Sequence, residues 1–174
     1  MNEWLAMIGV ALAAISGVPG LVWRRGGSGE RAAAILLGLG AAGAITGAIR
    51  ALAVPATVTP LAMTWSGPGG SLGVVLDPLA AMFVIPIFAL GGLGAIYGLG
   101  YWAQAAHPDD GRKLRLFYGL IVAGMGTLVL AASAILFLFG WEIMALAAFL
   151  TITTEDQRAS VREVGYVYLV ATRL

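Results

Sequence analysis

Five stretches of this chain are each apolar over about 20 residues, the length a helix needs to cross the hydrocarbon core of a bilayer. They run at about Leu5–Val22, Ala32–Val54, Pro78–Tyr101, Leu114–Ala132 and Ile135–Ile152. Apolar residues make up 60% of the chain and charged residues 11%, where soluble domains have roughly 45–50% and 25%. Mean hydropathy is +0.91. The expected fold is therefore an all-α membrane protein, a polytopic bundle of transmembrane helices. A partial sixth span begins near Val161 and has 14 residues before Leu174. At 1.5 Å per residue that covers roughly 21 Å of a core ~30 Å thick. Met1-Asn2-Glu3-Trp4 lacks the basic start of a signal peptide.

Basic residues in short loops set the expected orientation. Arg24, Arg25 and Arg31 follow span one; Arg112, Lys113 and Arg115 follow span three; Arg158 and Arg162 follow span five. These are alternate loops, so eight of the ten basic residues share one side. That side is expected to be cytoplasmic, with the N-terminus outside. Arg50, near the outer end of span two, can extend its stem to the interface, and Arg173 also departs from the pattern.

The outer loop, Pro55–Asp77, contains neither Lys nor Arg. Thr57–Trp65 and Leu72–Leu76 flank the turn-forming Ser66-Gly67-Pro68-Gly69-Gly70, which predicts a short β-hairpin. Asp77-Pro78 then opens span three as N-cap and first helical residue, and Pro86 is expected to kink that span. The whole chain, 1–174, reads as a single transmembrane domain.

Several motifs have plain structural explanations. Gly38-Leu39-Gly40-Ala41-Ala42-Gly43 spells a dinucleotide fingerprint, which needs a preceding strand and a solvent-facing helix start. Inside a span it reads as helix packing, as do Gly43-x-x-x-Gly47 and Gly94-x-x-x-Gly98. His107, the one histidine, reads as a solvated loop residue beside Asp109 and Asp110. With no Cys and no second His it completes no metal site. Net charge is +1, which gives no electrostatic case for nucleic acid. Thr153–Arg158 reads as a solvated turn, and Glu163 as a headgroup-level charge near Arg158 and Arg162. Trp4, Trp23, Tyr101 and Trp102 fit an interfacial aromatic belt.

Glu142 is different. It interrupts FLFGWEIMALAAFL near the middle of span five, where an acidic residue costs roughly 2.5–3.5 kcal/mol to insert. Its helical neighbours three and four positions away are Leu138, Phe139, Ala145 and Leu146, so no partner lies on its own helix. Two readings stand. One is a carboxylic acid hydrogen-bonded to a neighbouring helix. The other is a proton-loading site governed by a cation on another helix.

FLFGWEIMALAAFL resembles the Trp-Glu fifth-helix motif of the antiporter-like proton-translocating membrane subunits. That family comprises the L, M and N subunits of NADH-quinone oxidoreductase, the large Mrp antiporter subunits, and hydrogenase-4 component B with its formate hydrogenlyase relatives. VVLDPLAAMFVIPIFAL is similar to the segment opening the family's third helix, and REVGYVYLVATRL to its sixth-helix entry. The resemblance implies that these residues are the N-terminal part of a subunit of about fourteen helices. It implies that Glu142 is the protonatable group (the catalytic site in the sense of proton transfer), pairing with a lysine on the seventh helix. It implies a bacterial or archaeal cell membrane and other membrane and peripheral subunits of a respiratory or hydrogenase complex as partners. Protons, or sodium, would be the transported ions, with no cofactor and no metal in this chain. Any enzyme label then belongs to the complex. Where relatives often carry hydroxyls after the glutamate, this chain has Ala145, Ala147, Ala148 and Phe149. The rival reading is a non-transporting membrane protein that packs against such a complex, with Glu142 as a structural hydrogen-bonding residue.

Overall fold

A computed structural model describes residues 1–23, 27–54, 60–64, 71–108 and 110–172. Its elements are α1 (Asn2–Ile15), α2 (Val18–Val22), α3 (Ser28–Ala53), β1 (Leu61–Thr64), β2 (Ser71–Val74), α4 (Pro78–Tyr101), α5 (Asp110–Leu130), α6 (Ala134–Ile152) and α7 (Ala159–Ala171). Among the described residues, five helical spans are long and apolar enough to cross a membrane: Asn2–Val22, Ser28–Ala53, Pro78–Tyr101, Asp110–Leu130 and Ala134–Ile152. At 13 residues, α7 is too short to do so alone. The expected bundle of five full spans and a partial sixth is what the chain forms.

The first span is one rod with a break at Ser16-Gly17. Pro19 has no N–H to give the Ile15 carbonyl. The Ser16 hydroxyl instead folds back on the Ala13 carbonyl at 2.7 Å. Gly17 lies against the Leu116 backbone of α5, where no side chain fits. Ser16 is 2% exposed, so the break is packed against protein, as backbone irregularity at membrane depth must be.

Spans α1, α3, α4 and α5 surround the core. Phe88 is its centre, fully buried with Val84, Val122 and Leu130. Small residues set the spacing. A Cβ at Gly9 would lie 2.6 Å from the Gly40 carbonyl, and one at Gly47 would lie 2.8 Å from the Asn2 carbonyl. The α1–α3 seam is thus Gly40 and Ala44 against Gly9, with Gly47 against Asn2. The Gly43-x-x-x-Gly47 expectation needs correcting, because a Cβ at Gly43 would come no nearer than 3.7 Å to its first neighbour, the Leu5 carbonyl. Gly94-x-x-x-Gly98 fails as well: Gly94 makes room for the Tyr118 hydroxyl, and Gly98 faces open space.

The cap on α4 is as expected. Asp77 Oδ1 accepts the Ala80 N–H at 2.6 Å, with Pro78 in the first turn. The helix runs unbroken through Pro86. Upstream, β1 and β2 pair antiparallel with Leu61 opposite Val74 and Thr64 opposite Ser71. The turn Ser66–Gly70 lies outside the described residues, as does Trp65. The hairpin does not stand free. Ala132 N–H donates to the Gly73 carbonyl at 2.8 Å and Val75 N–H to the Leu130 carbonyl at 2.9 Å. The α5–α6 turn therefore extends the sheet by one short bridge, Val74 to Ala131.

The α5–α6 pair is another close crossing. A Cβ at Gly124 would lie 2.7 Å from Met144 N, and one at Gly140 would lie 2.8 Å from Leu128 N. Helix α6 packs on α5 along one side and on α7 at its far end, so only 11% of its span is buried, against 44% for α3. It is the peripheral span of the bundle, and it carries Glu142.

Candidate functional site

Glu142 lies eight residues after the start of α6 and ten before its end. Ser133 starts the helix there, its hydroxyl accepting the Leu136 N–H at 3.4 Å. The packed side of α6 carries Gly140, Met144 and Ala147, with Gly140 and Ala147 buried. The open side carries Leu138, Phe139, Ile143 and Leu146, all exposed. Glu142 is half-buried on the flank between these sides, one turn from the buried Ala145. The Gly124–Gly140 crossing, two residues away, sets how closely this stretch of α6 approaches α5. A carboxylate at that depth can take up and release a proton. It can also accept hydrogen bonds from whatever covers the open side.

Lys113, the one lysine in the sequence, lies at the basic-loop end. Its ammonium is 3.7 Å from Asp110 and 3.4 Å from Asp156. It ties the start of α5 to the α6–α7 turn and lies far from the middle of any span. Arg173 and Asp109 lie outside the described residues. Glu163 is exposed on α7. In the turn before it, Arg158 reaches Glu155 at 2.8 Å in an exposed pair.

The sequence reading overlooked a second polar centre. Arg115 reaches Glu30 at 2.8 Å, and both side chains are only 14% exposed. The guanidinium also donates to Gln104 Oε1 at 2.7 Å and to the Gly111 and Trp102 carbonyls at 2.8 Å each. Glu30 Oε2 further accepts the Gln104 N–H at 2.8 Å, and the Gln104 amide donates to the Pro108 carbonyl at 2.8 Å. This cluster clasps the start of α3, the α4–α5 loop and the start of α5. Beside it is a cavity of about 180 Å³ whose wall includes Ser16, Tyr118 and Trp102.

The clasp also changes the reading of His107. It is no solvated loop residue: its ring stacks on Trp102 at 3.9 Å and 18°, and it is half-buried. Trp102 is correspondingly drawn inward from the aromatic belt, while Trp4, Trp23 and Tyr101 remain exposed at span ends.

Removing one member of a buried ion pair strands the other and costs about 3–5 kcal/mol, whereas replacing both with apolar residues is often near neutral. Glu30→Ala is expected to lower stability by about that amount in a detergent unfolding titration. The double variant Glu30→Leu with Arg115→Met should recover most of the loss. A cost under about 1 kcal/mol for Glu30→Ala would mean that the pair behaves like an ordinary surface bridge.

Comparison with known proteins gives a partial likeness. Over 92 residues, 51% of this chain, it is 36% identical to NADH-quinone oxidoreductase subunit L of Mycobacterium tuberculosis strain CDC 1551 / Oshkosh. The match to subunit L of strain H37Rv has the same extent. Over 110 residues, 63% of this chain, it is 31% identical to the uncharacterised M. tuberculosis protein Rv0083. The matched segments span only 14% of the length of subunit L and 17% of Rv0083. No family model matches the chain. The chain is a multi-pass membrane protein that resembles, over half its length, NADH-quinone oxidoreductase subunit L.

Proposed function

We propose that this chain is part of a proton-translocating subunit of an NADH-quinone oxidoreductase-like complex, with Glu142 as a group that gains and loses the proton. One observation carries the reading: a carboxylate at mid-span on the peripheral helix, half-buried, where insertion is costly enough that an unused acid is disfavoured. The likeness to subunit L supports the kind of complex; a hydrogenase-4-like complex is the alternative. The chemistry asked of Glu142 is simple. A cation approaching the open side of α6 would favour the carboxylate, and its withdrawal would favour the acid, so moving that charge moves a proton. Sodium is the alternative coupling ion. The deciding experiment is proton transfer by the full-length protein carrying Glu142→Gln. Retained assembly with lost transfer supports the reading, and undiminished transfer returns Glu142 to a structural role.

The orientation belongs to the same proposal. The clasp and the Lys113 bridges place Glu30, Lys113, Arg115 and Asp156 at one end of the bundle, opposite the hairpin. By the bias of basic residues that end is cytoplasmic. The chain has no Cys, so single substitutions label cleanly. Arg112→Cys should react only after the membrane is opened, and Ser71→Cys in intact cells. External labelling at position 112 would invert the assignment.

A further inference from the structure

The hairpin roofs a cavity of about 330 Å³ at the end of the bundle opposite the clasp. Its floor and walls come from α1 (Met7, Val10), α5 (Leu130) and α6 (Leu136), and its roof from Leu72 and Val74 of β2. Strand register explains the roof. Leu61, Leu72 and Val74 share one face of the two-stranded sheet, because Leu61 pairs with Val74 and residues two apart on a strand point the same way. Gly73 points the other way and packs on Ala132. The roof is fixed in place by the backbone bonds between the hairpin and the α5–α6 turn.

The lining offers little to water. Among the described residues its polar groups are the Trp4 indole at the rim and Thr127, whose hydroxyl is already bonded to the Ala123 carbonyl of its own helix at 2.8 Å. Among the described residues no charged one contributes to the wall. An apolar cavity of about 150 Å³ stays dry and takes an apolar guest, and this one is about twice that size. Left empty, its walls would forfeit dispersion contacts with no compensating hydration. Trp4 stands at the rim, 55% exposed, where an amphipathic ring marks headgroup depth. The nearest supply of apolar guest at that depth is the bilayer.

The geometry points to this cavity as a binding site for one acyl chain of a membrane phospholipid, held under the hairpin with its headgroup outside. The absence of charge in the wall makes recognition a matter of the chain. Contacts with the headgroup are left to the solvent side. This occupant fills space between α1, α5, α6 and the hairpin that the protein's own side chains leave open.

The test uses the full-length protein in vesicles containing phosphatidylethanolamine or phosphatidylglycerol with a photoactivatable diazirine on the acyl chain. Labelled peptides are mapped by mass spectrometry. Labelling at Met7 and Leu72 is expected to exceed that at Leu90 and Leu93, exposed positions on α4. Ala11→Phe, which puts a ring into the cavity wall, should cut labelling at Met7 and Leu72 roughly tenfold by taking the space whose contacts hold the chain. Labelling at Leu90 should not change. Leu61→Trp, on the hairpin and on the face it shares with Leu72 and Val74, should do the same without touching helix packing. The two headgroups should label alike. The proposal is overturned by labelling at Met7 and Leu72 no higher than at Leu93, or by labelling that neither ring substitution reduces. A strong preference for one headgroup, or crosslinks from these positions to a polypeptide in place of lipid, would overturn it too.

Discussion

Glu142→Gln in the full-length protein is expected to leave the complex assembled and electron transfer running, while proton transfer per electron falls at least about tenfold. Positioned acid–base groups contribute roughly 10²–10⁴-fold to the steps they serve. The carboxamide has the shape and hydrogen-bonding reach of the acid but does not titrate at accessible pH. Helix α6 should therefore stay where its Gly140 crossing and Ser133 cap put it. Glu142→Asp retains the acid one methylene shorter and should keep part of the transfer. That ordering, Glu above Asp above Gln, separates a proton carrier from a structural hydrogen bond, which Gln would satisfy better than Asp. Measured proton uptake in vesicles equal for Glu and Gln would end the proton-loading proposal. Loss of assembly in Gln would point the same way, since only a structural carboxylate would be needed to hold the bundle.

How far the chain could be read in advance depended on the distance over which each feature is determined. The start of α4 came out to the residue because its cause is local. Asp77 caps and Pro78 presets the first turn within four positions. The hairpin strands were legible from alternation and turn residues, but their attachment to Ala131–Ala132 was not. That bond joins segments about 60 residues apart, and neither segment announces the other. Glycine spacing told which residues share a helix face without telling which face is packed. The partner helix decides that, and α1 chose Gly40, Ala44 and Gly47 where the motif suggested Gly43. The clasp was missed for the same reason in stronger form. Arg115 reads as one more basic loop residue, and Glu30 drew no reading at all. Only the fold brings them together across 85 positions and takes most of both side chains out of water. A signal did exist: Arg115 follows Arg112 and Lys113 by less than one turn, so not all three can face the same surroundings. The position of Glu142 at mid-span was legible from the length of its apolar stretch. Its place on the outermost helix was not, because burial depends on which helices pack beside it.

That outer placement makes the α5–α6 crossing the mechanical support of the site, and Gly140 its contact on the helix that carries Glu142. A methyl group at 140 would lie 2.8 Å from Leu128 N and 3.1 Å from the Gly124 carbonyl. Both are backbone atoms that cannot swing aside as a side chain would. Gly140→Ala should push α6 away from α5 and carry Glu142 with it, two residues along the same helix. Proton transfer is expected to fall several-fold although the carboxylate is intact, consistent with the steep cost of misplacing a reacting group by about 1 Å. Gly140→Leu should prevent the pair from closing and remove the protein from the membrane fraction. Gly98→Ala is the matched control. A methyl there meets nothing within 4 Å, and Ala is the better helix former by about 1 kcal/mol, so that variant should be as active as the parent and slightly more stable. Crosslinking between Cys pairs placed at 128 and 144 would report the separation of the helices directly. Unchanged crosslinking and unchanged proton transfer in Gly140→Ala would show that α6 has slack at this point. The support for Glu142 would then have to come from the side of α6 that this bundle leaves uncovered.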